Sequence, residues 1–232
     1  MAAFRTIIWS SVVKKLINAV TGLGLCLFII IHLAGNITLL TGNAEKFNAY
    51  AHFLISTGIL VYLAEIGMIG FFVFHIFTGV TVWWDKQKAR KEPYKKVAAA
   101  GEPSKKTISS RTMIYTGVVM LIFTVLHLKT LKYGPGIAEG YVMMIDGHPI
   151  RDLFRLTAEV FSKPGYVIWY VAAMSLLGFH LRHGFWSLFQ SLGANHPRYS
   201  SFIYGLGLLF ALIMAVGFIA MPVVLYLRGG AA

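Results

Sequence analysis

The sequence predicts an all-α transmembrane protein, a five-helix bundle, and three observations carry that prediction. Hydrophobic residues make up 57% of the 232 residues and charged ones only 13%, against roughly 25% charged in soluble domains. Mean hydropathy is +0.68. The apolar residues fall in five blocks, each near the ~20 helical residues needed to cross ~30 Å of hydrocarbon. An aromatic share of 14% excludes a disordered chain. The single cysteine, Cys26, excludes a disulfide framework and any cysteine-ligated zinc or iron–sulfur site.

The spans are expected at approximately 12–40, 57–84, 110–131, 164–190 and 199–227 of a single membrane domain, 1–232. The first contains an uncharged run over 16–40. That run is longer than a signal-peptide core and no A-x-A cleavage site follows it, so it reads as a retained span. Glu65 is the only charge in the second block over 58–84. The third, 112–128, is short and flanked by Arg111 and Lys129, whose long side chains can reach the headgroups. Pro164 is a good first-turn residue for the fourth, where Arg182 is the only charge. Glycines inside the blocks (Gly22, Gly24, Gly67, Gly70, Gly178, Gly205, Gly207) suit close approach of helices or of a flat cofactor. No strand is expected.

Direction follows from the cations. The linker over 85–111 carries Lys86, Lys88, Arg90, Lys91, Lys95, Lys96, Lys105, Lys106 and Arg111 against Asp85, Glu92 and Glu102, and Arg5, Lys14 and Lys15 precede the first span. By the positive-inside rule the N-terminus is cytoplasmic and the C-terminus outside. The net charge of +12 then reflects insertion polarity and not nucleic-acid binding. The linker serves topology alone or also docks a cytoplasmic partner. The longest outer connection, 129–163, is expected to hold a short surface helix at about 151–161.

Ionisable groups inside spans are costly and mark bundle interiors, cofactors or water-filled paths. Four of the eight histidines lie on four different spans. His32 is 16 residues past Leu16, so about 24 Å from the inner surface by helix rise. His127 is 15 residues past Thr112, about 22 Å up. The descending spans place His75, 17 residues past Gly58, and His180, 16 past Pro164, near the inner side. His32 therefore shares a depth with His127, and His75 with His180. Two opposed imidazoles suit the two axial positions of a haem iron and electron transfer. Zinc or copper would need more ligands at one depth. His183, one turn after His180, is the alternative inner ligand or a contact for a propionate or quinone. His52, His148 and His196 fall in expected loops.

Taken together, these segments resemble the dihaem cytochrome b subunit of succinate:quinone oxidoreductases (respiratory complex II), the type with one five-helix anchor polypeptide. The matching residues are Thr21-Gly22-Leu23, His32-Leu33-Ala34-Gly35-Asn36 and Phe47-Asn48-Ala49-Tyr50-Ala51-His52. They continue with Phe74-His75 and Gly79, Leu126-His127-Leu128, and Phe179-His180-Leu181-Arg182-His183-Gly184-Phe185-Trp186. The resemblance implies two haems b ligated by His32, His75, His127 and His180, with the second and fourth spans sharing the inner one. It also implies menaquinone as the membrane substrate and, on the cytoplasmic side, a flavoprotein and an iron–sulfur subunit carrying the succinate/fumarate chemistry. The home of such a complex is the bacterial cytoplasmic membrane. Some members carry a glutamate two residues before the fourth-span ligand; Gly178 stands there in this chain, so their proton path is not implied.

Other site residues carry two readings each. Asn18 and Thr21 bind haem propionates or serve helix packing. Glu65 relays protons or binds quinone, or is a neutral hydrogen-bonded acid. Lys129 and Lys132 neutralise outer propionates or reach to headgroups, and Arg182 is a further candidate cofactor contact. Two rival functions remain: a dihaem anchor for a hydrogenase or formate dehydrogenase, and a histidine-lined transporter.

Overall fold

The computed structural model of the chain describes residues 10–89, 107–194 and 196–229. In chain order these form α1 (Ser11–Asn36), α2 (Ala44–Ser56), α3 (Ile59–Lys88), α4 (Ile108–His127), β1 (Val142–Ile145), β2 (His148–Arg151), α5 (Leu153–Phe161), α6 (Pro164–Ser191) and α7 (Pro197–Leu227). A 3-10 turn over Ile37–Thr41 extends α1, and a wide π turn over Leu128–Lys132 extends α4. So extended, α1 and α4 join α3, α6 and α7 as five helices long and apolar enough to cross a membrane. The protein is an all-α, multi-spanning membrane protein. Arg5 and most of the basic linker, Arg90 to Lys106, lie outside the described residues.

Proline and glycine punctuate the helices. Pro164 and Pro197 open α6 and α7, where a missing N–H costs nothing because first-turn donors have no intrahelical partner. Gly42 (φ 73°) ends the α1 extension and Gly58 (φ 60°) separates α2 from α3, at backbone angles that a side chain would strain. Leu27, Ile31, Ile59, Ile66, Ile69, Leu209 and Val216 point outward and exposed. Such surface would aggregate in water and is at home in lipid.

The connection from α4 to α6 corrects two expectations. It contains a strand pair, β1 with β2 antiparallel, Ile145 opposite His148. Asp146 (φ 49°) and Gly147 (φ 77°) both take positive φ at its tip, the signature of a type I′ hairpin turn. The expected short helix is present as α5; it buries Phe154, Leu156, Ala158, Val160 and Phe161 against α2 and its neighbours while Arg155 stays exposed, so it is more firmly packed than a helix lying free on a surface. Asp152 caps it by accepting from Arg155 N at 3.0 Å. His52 lies on α2 and His148 on β2 instead of in loops; His196 sits just before α7.

A buried amide ties these pieces together. Asn48 on α2 is fully buried; its Nδ2 donates to Asp152 Oδ1 at 2.7 Å and its Oδ1 accepts from Phe154 N at 2.9 Å. Arg151 at the end of β2 donates to the carbonyls of Leu131, Lys132, Gly134 and Pro135 at 2.9–3.0 Å. Those carbonyls follow the end of α4 and lack helical partners, so one guanidinium fork caps the third span. On the same cap Glu159 accepts from Tyr141 Oη at 2.5 Å and from Arg155 Nε at 2.8 Å, and these bonds hold its carboxyl below the usual carboxylate range.

The described residues group into two compact units. The first comprises those within 1–27, 66–117 and 179–211; the second comprises 28–65, 118–178 and those from 212 onward. Each unit contains one histidine pair.

Candidate functional site: two histidine pairs

In the first unit His75 of α3 and His180 of α6 lie with ring centroids 6.3 Å apart and planes at 64°. His75 Nδ1 donates to the backbone carbonyl of Asn18 on α1 at 3.2 Å. Gly22 makes that approach possible, because a Cβ there would sit 3.2 Å from His75 Cε1 and 3.4 Å from Nδ1. Asn18 is itself anchored: its Oδ1 accepts from Thr78 Oγ1 at 3.1 Å, and Thr78 is almost completely buried. His180 Nδ1 lies 3.0 Å from Thr116 Oγ1 on α4. The Thr116 hydroxyl also reaches the carbonyl of Met113 at 3.0 Å, and when it donates there its lone pair faces the imidazole. His75, facing a carbonyl, thus carries its proton on Nδ1 and keeps a bare Nε2, and His180 does the same in the tautomer that donates to Thr116. A carbonyl or hydroxyl that fixes the tautomer in this way is the usual companion of a metal-ligating histidine.

In the second unit His32 of α1 and His127 of α4 have centroids 5.9 Å apart and planes at 85°. His127 Nδ1 lies 3.2 Å from Tyr170 Oη on α6. Phe28 stacks on His32 at 5.3 Å, Phe123 on His127 at 5.5 Å, and Phe218 of α7 stands 6.0 Å from His32. Asn36 Nδ2 reaches His32 Nδ1 at 3.4 Å but donates better to His32 O at 2.7 Å. His32 is therefore the least firmly oriented of the four rings. All four are half-buried, and no residue among those described bonds their Nε2 atoms.

Other sequence candidates take different places. Thr21 turns its hydroxyl back to Ile17 O at 2.7 Å, a helix-internal bond. Asn18 acts through its carbonyl on His75. Glu65 is ion-paired with Lys132, both partly exposed, so it is not an isolated acid. Arg182 and Lys129 are exposed, and His183 is half-buried. Gly24 and Gly207 lie under the Phe71 and Phe185 rings, whereas Gly67, Gly70 and Gly205 face open space. Among the described residues no three of His, Cys, Asp or Glu gather as a metal cluster. Sequence reasoning named Asn18 for a propionate or for packing and not as the Nδ1 partner of His75, and it did not single out Thr116 or Tyr170.

No family model, curated protein or solved structure matches the chain.

Proposed function

We propose that the chain is a dihaem cytochrome b, the membrane anchor through which a succinate dehydrogenase or fumarate reductase exchanges electrons with a membrane quinone. The observation that supports it best is the pair of histidine pairs, each drawn from two helices, with Nδ1 tied on the far side of at least three of the four rings. A metal–imidazole bond near 2 Å on each side, plus the distance from nitrogen to ring centre, separates two axial rings by about 6 Å. The centroid distances of 6.3 and 5.9 Å fit that spacing. The angle between planes is free, because each ring can turn about its own metal–nitrogen axis.

Bound haem supplies a one-electron carrier. The chain's own part is to hold four imidazoles in the correct tautomer, to wall the outer pair with Phe28, Phe123 and Phe218, and to keep water away. His75 and His180 are assigned to the cytoplasmic side with the N-terminus, on the strength of the basic linker. Quinone chemistry and the flavoprotein and iron–sulfur partners rest on the segments that resemble complex II anchors. Lys14, buried and 2.7 Å from Asp85, helps fix the inner ends of α1 and α3 where such partners would dock.

Haem content tests the reading. The purified chain is expected to hold two b haems with low-spin bis-imidazole spectra; a chain with no haem rejects it. Co-purification of a flavoprotein and an iron–sulfur subunit tests the succinate assignment separately from a hydrogenase or formate dehydrogenase anchor. A second expectation concerns Gly22. Gly22→Val should push His75 off the Asn18 carbonyl and lower occupancy of one haem, while Gly70→Val, which meets open space, should leave both. Equal haem content in the two variants would remove the role given to Gly22.

A further inference from the structure

The two pairs differ in what holds their Nδ1 atoms. On the inner rings the partners are a helix carbonyl, Asn18 O, and a threonine hydroxyl that also reaches a carbonyl of its own helix. On the outer pair the one well-placed partner is a phenol, Tyr170 Oη, 3.2 Å from His127 Nδ1. Tyr170 is not there by accident of a loose surface. It is 7% exposed, and its ring stands edge-on to Phe161 of α5 at 4.8 Å and to Phe123 of α4 at 5.0 Å. Phe123 in turn stacks on His127 at 5.5 Å. Phenol, phenyl and imidazole thus form one interlocked group in which the Tyr170 oxygen has a fixed position relative to the ring it touches.

For His127 to offer a bare Nε2, its proton must sit on Nδ1, from which it donates a hydrogen bond to the Tyr170 oxygen. An acceptor at that point draws the proton and enriches the ring in electron density, which favours the oxidised state of a metal bound at Nε2. Removing the acceptor weakens that donation. A phenyl ring of the same shape would keep the packing and delete the bond.

Resting on the dihaem reading, we propose that Tyr170 is a positioning residue that fixes the His127 ring and, through it, sets the reduction potential of the outer haem independently of the inner one. Thr116 has the corresponding place behind His180 in the other pair.

The test is a redox titration of the full haem-loaded chain, followed by optical absorbance and by the electron paramagnetic resonance of each low-spin haem. Tyr170→Phe should retain both haems, raise the midpoint of one, and shift that haem's resonance. At the wild-type midpoint its reduced-to-oxidised ratio should rise several-fold. Thr116→Val should move the other haem instead. The haem affected by Tyr170→Phe must be the one lost in His127→Ala. Two unshifted midpoints in Tyr170→Phe, or a shift confined to the haem lost in His75→Ala, would overturn the proposal. Absence of haem from the wild-type chain would instead overturn the dihaem reading beneath it.

Discussion

Replacing His75 by alanine is expected to halve the haem content, from two to one per chain, and to spare the second haem's spectrum and potential. His180→Ala should give the same species, because the two rings stand 6.3 Å apart and are proposed to serve one site. His32→Ala and His127→Ala should each yield the complementary one-haem protein, their rings being 5.9 Å apart. Haem stoichiometry by pyridine haemochrome and potentiometric titration reads the result directly. The grouping is the sharp part. If His75→Ala and His127→Ala removed the same haem, the pairing of rings would be wrong even with two haems present. His183→Ala should retain both haems, since His183 has no partner ring in either pair; loss of the inner haem there, with retention in His180→Ala, would move the ligand one turn along α6.

The largest effect on stability is expected away from the histidines, at Asn48. Its side chain is fully enclosed and serves both a carboxylate and a helix N-terminus, Asp152 at 2.7 Å and Phe154 N at 2.9 Å. Asn48→Leu keeps the branched outline in a larger group and strands a buried N–H and an acid that loses its amide donor, a cost of roughly 3–5 kcal/mol. The segment from β1 to α5 should loosen first, so limited proteolysis of the detergent-solubilised protein should nick within 142–161 while the long helices stay intact. Asn43→Ala provides the comparison. Asn43 caps α2 at an exposed site, accepting from Lys46 N at 2.8 Å, and its loss should cost only about 1 kcal/mol. Equal protease resistance in the two variants would show that Asn48 does not fasten the cap.

The five long helices were legible because hydrocarbon imposes a length and an apolarity that soluble helices do not need. Which imidazoles stand together was also legible, by counting 1.5 Å per residue along helices of alternating direction. The groups behind those rings were not. A carbonyl such as Asn18 O has no letter of its own, and Tyr170 is one of 11 tyrosines; their roles exist only once α1 lies on α3 and α6 on α4. The hairpin escaped notice for a different reason. Asp146-Gly147 is a strong turn signal, but Val142-Met143-Met144-Ile145 lacks the polar alternation that marks a half-buried strand. Glu65 and Lys132, 67 positions apart, meet beside the π turn that follows His127; nothing in the sequence signals that turn.

At least three of the four rings are gripped from behind: His75 by α1, His180 by α4, His127 by α6. In the proposed dihaem reading, an imidazole so braced would have little freedom to slide when the charge on the iron it held changed by one. Small nuclear rearrangement lowers the activation barrier for electron hopping, since a preorganised polar setting need not readjust at each transfer. Were the chain the electron carrier proposed, the lattice of cross-helix bonds would favour speed of conduction in either direction of flow.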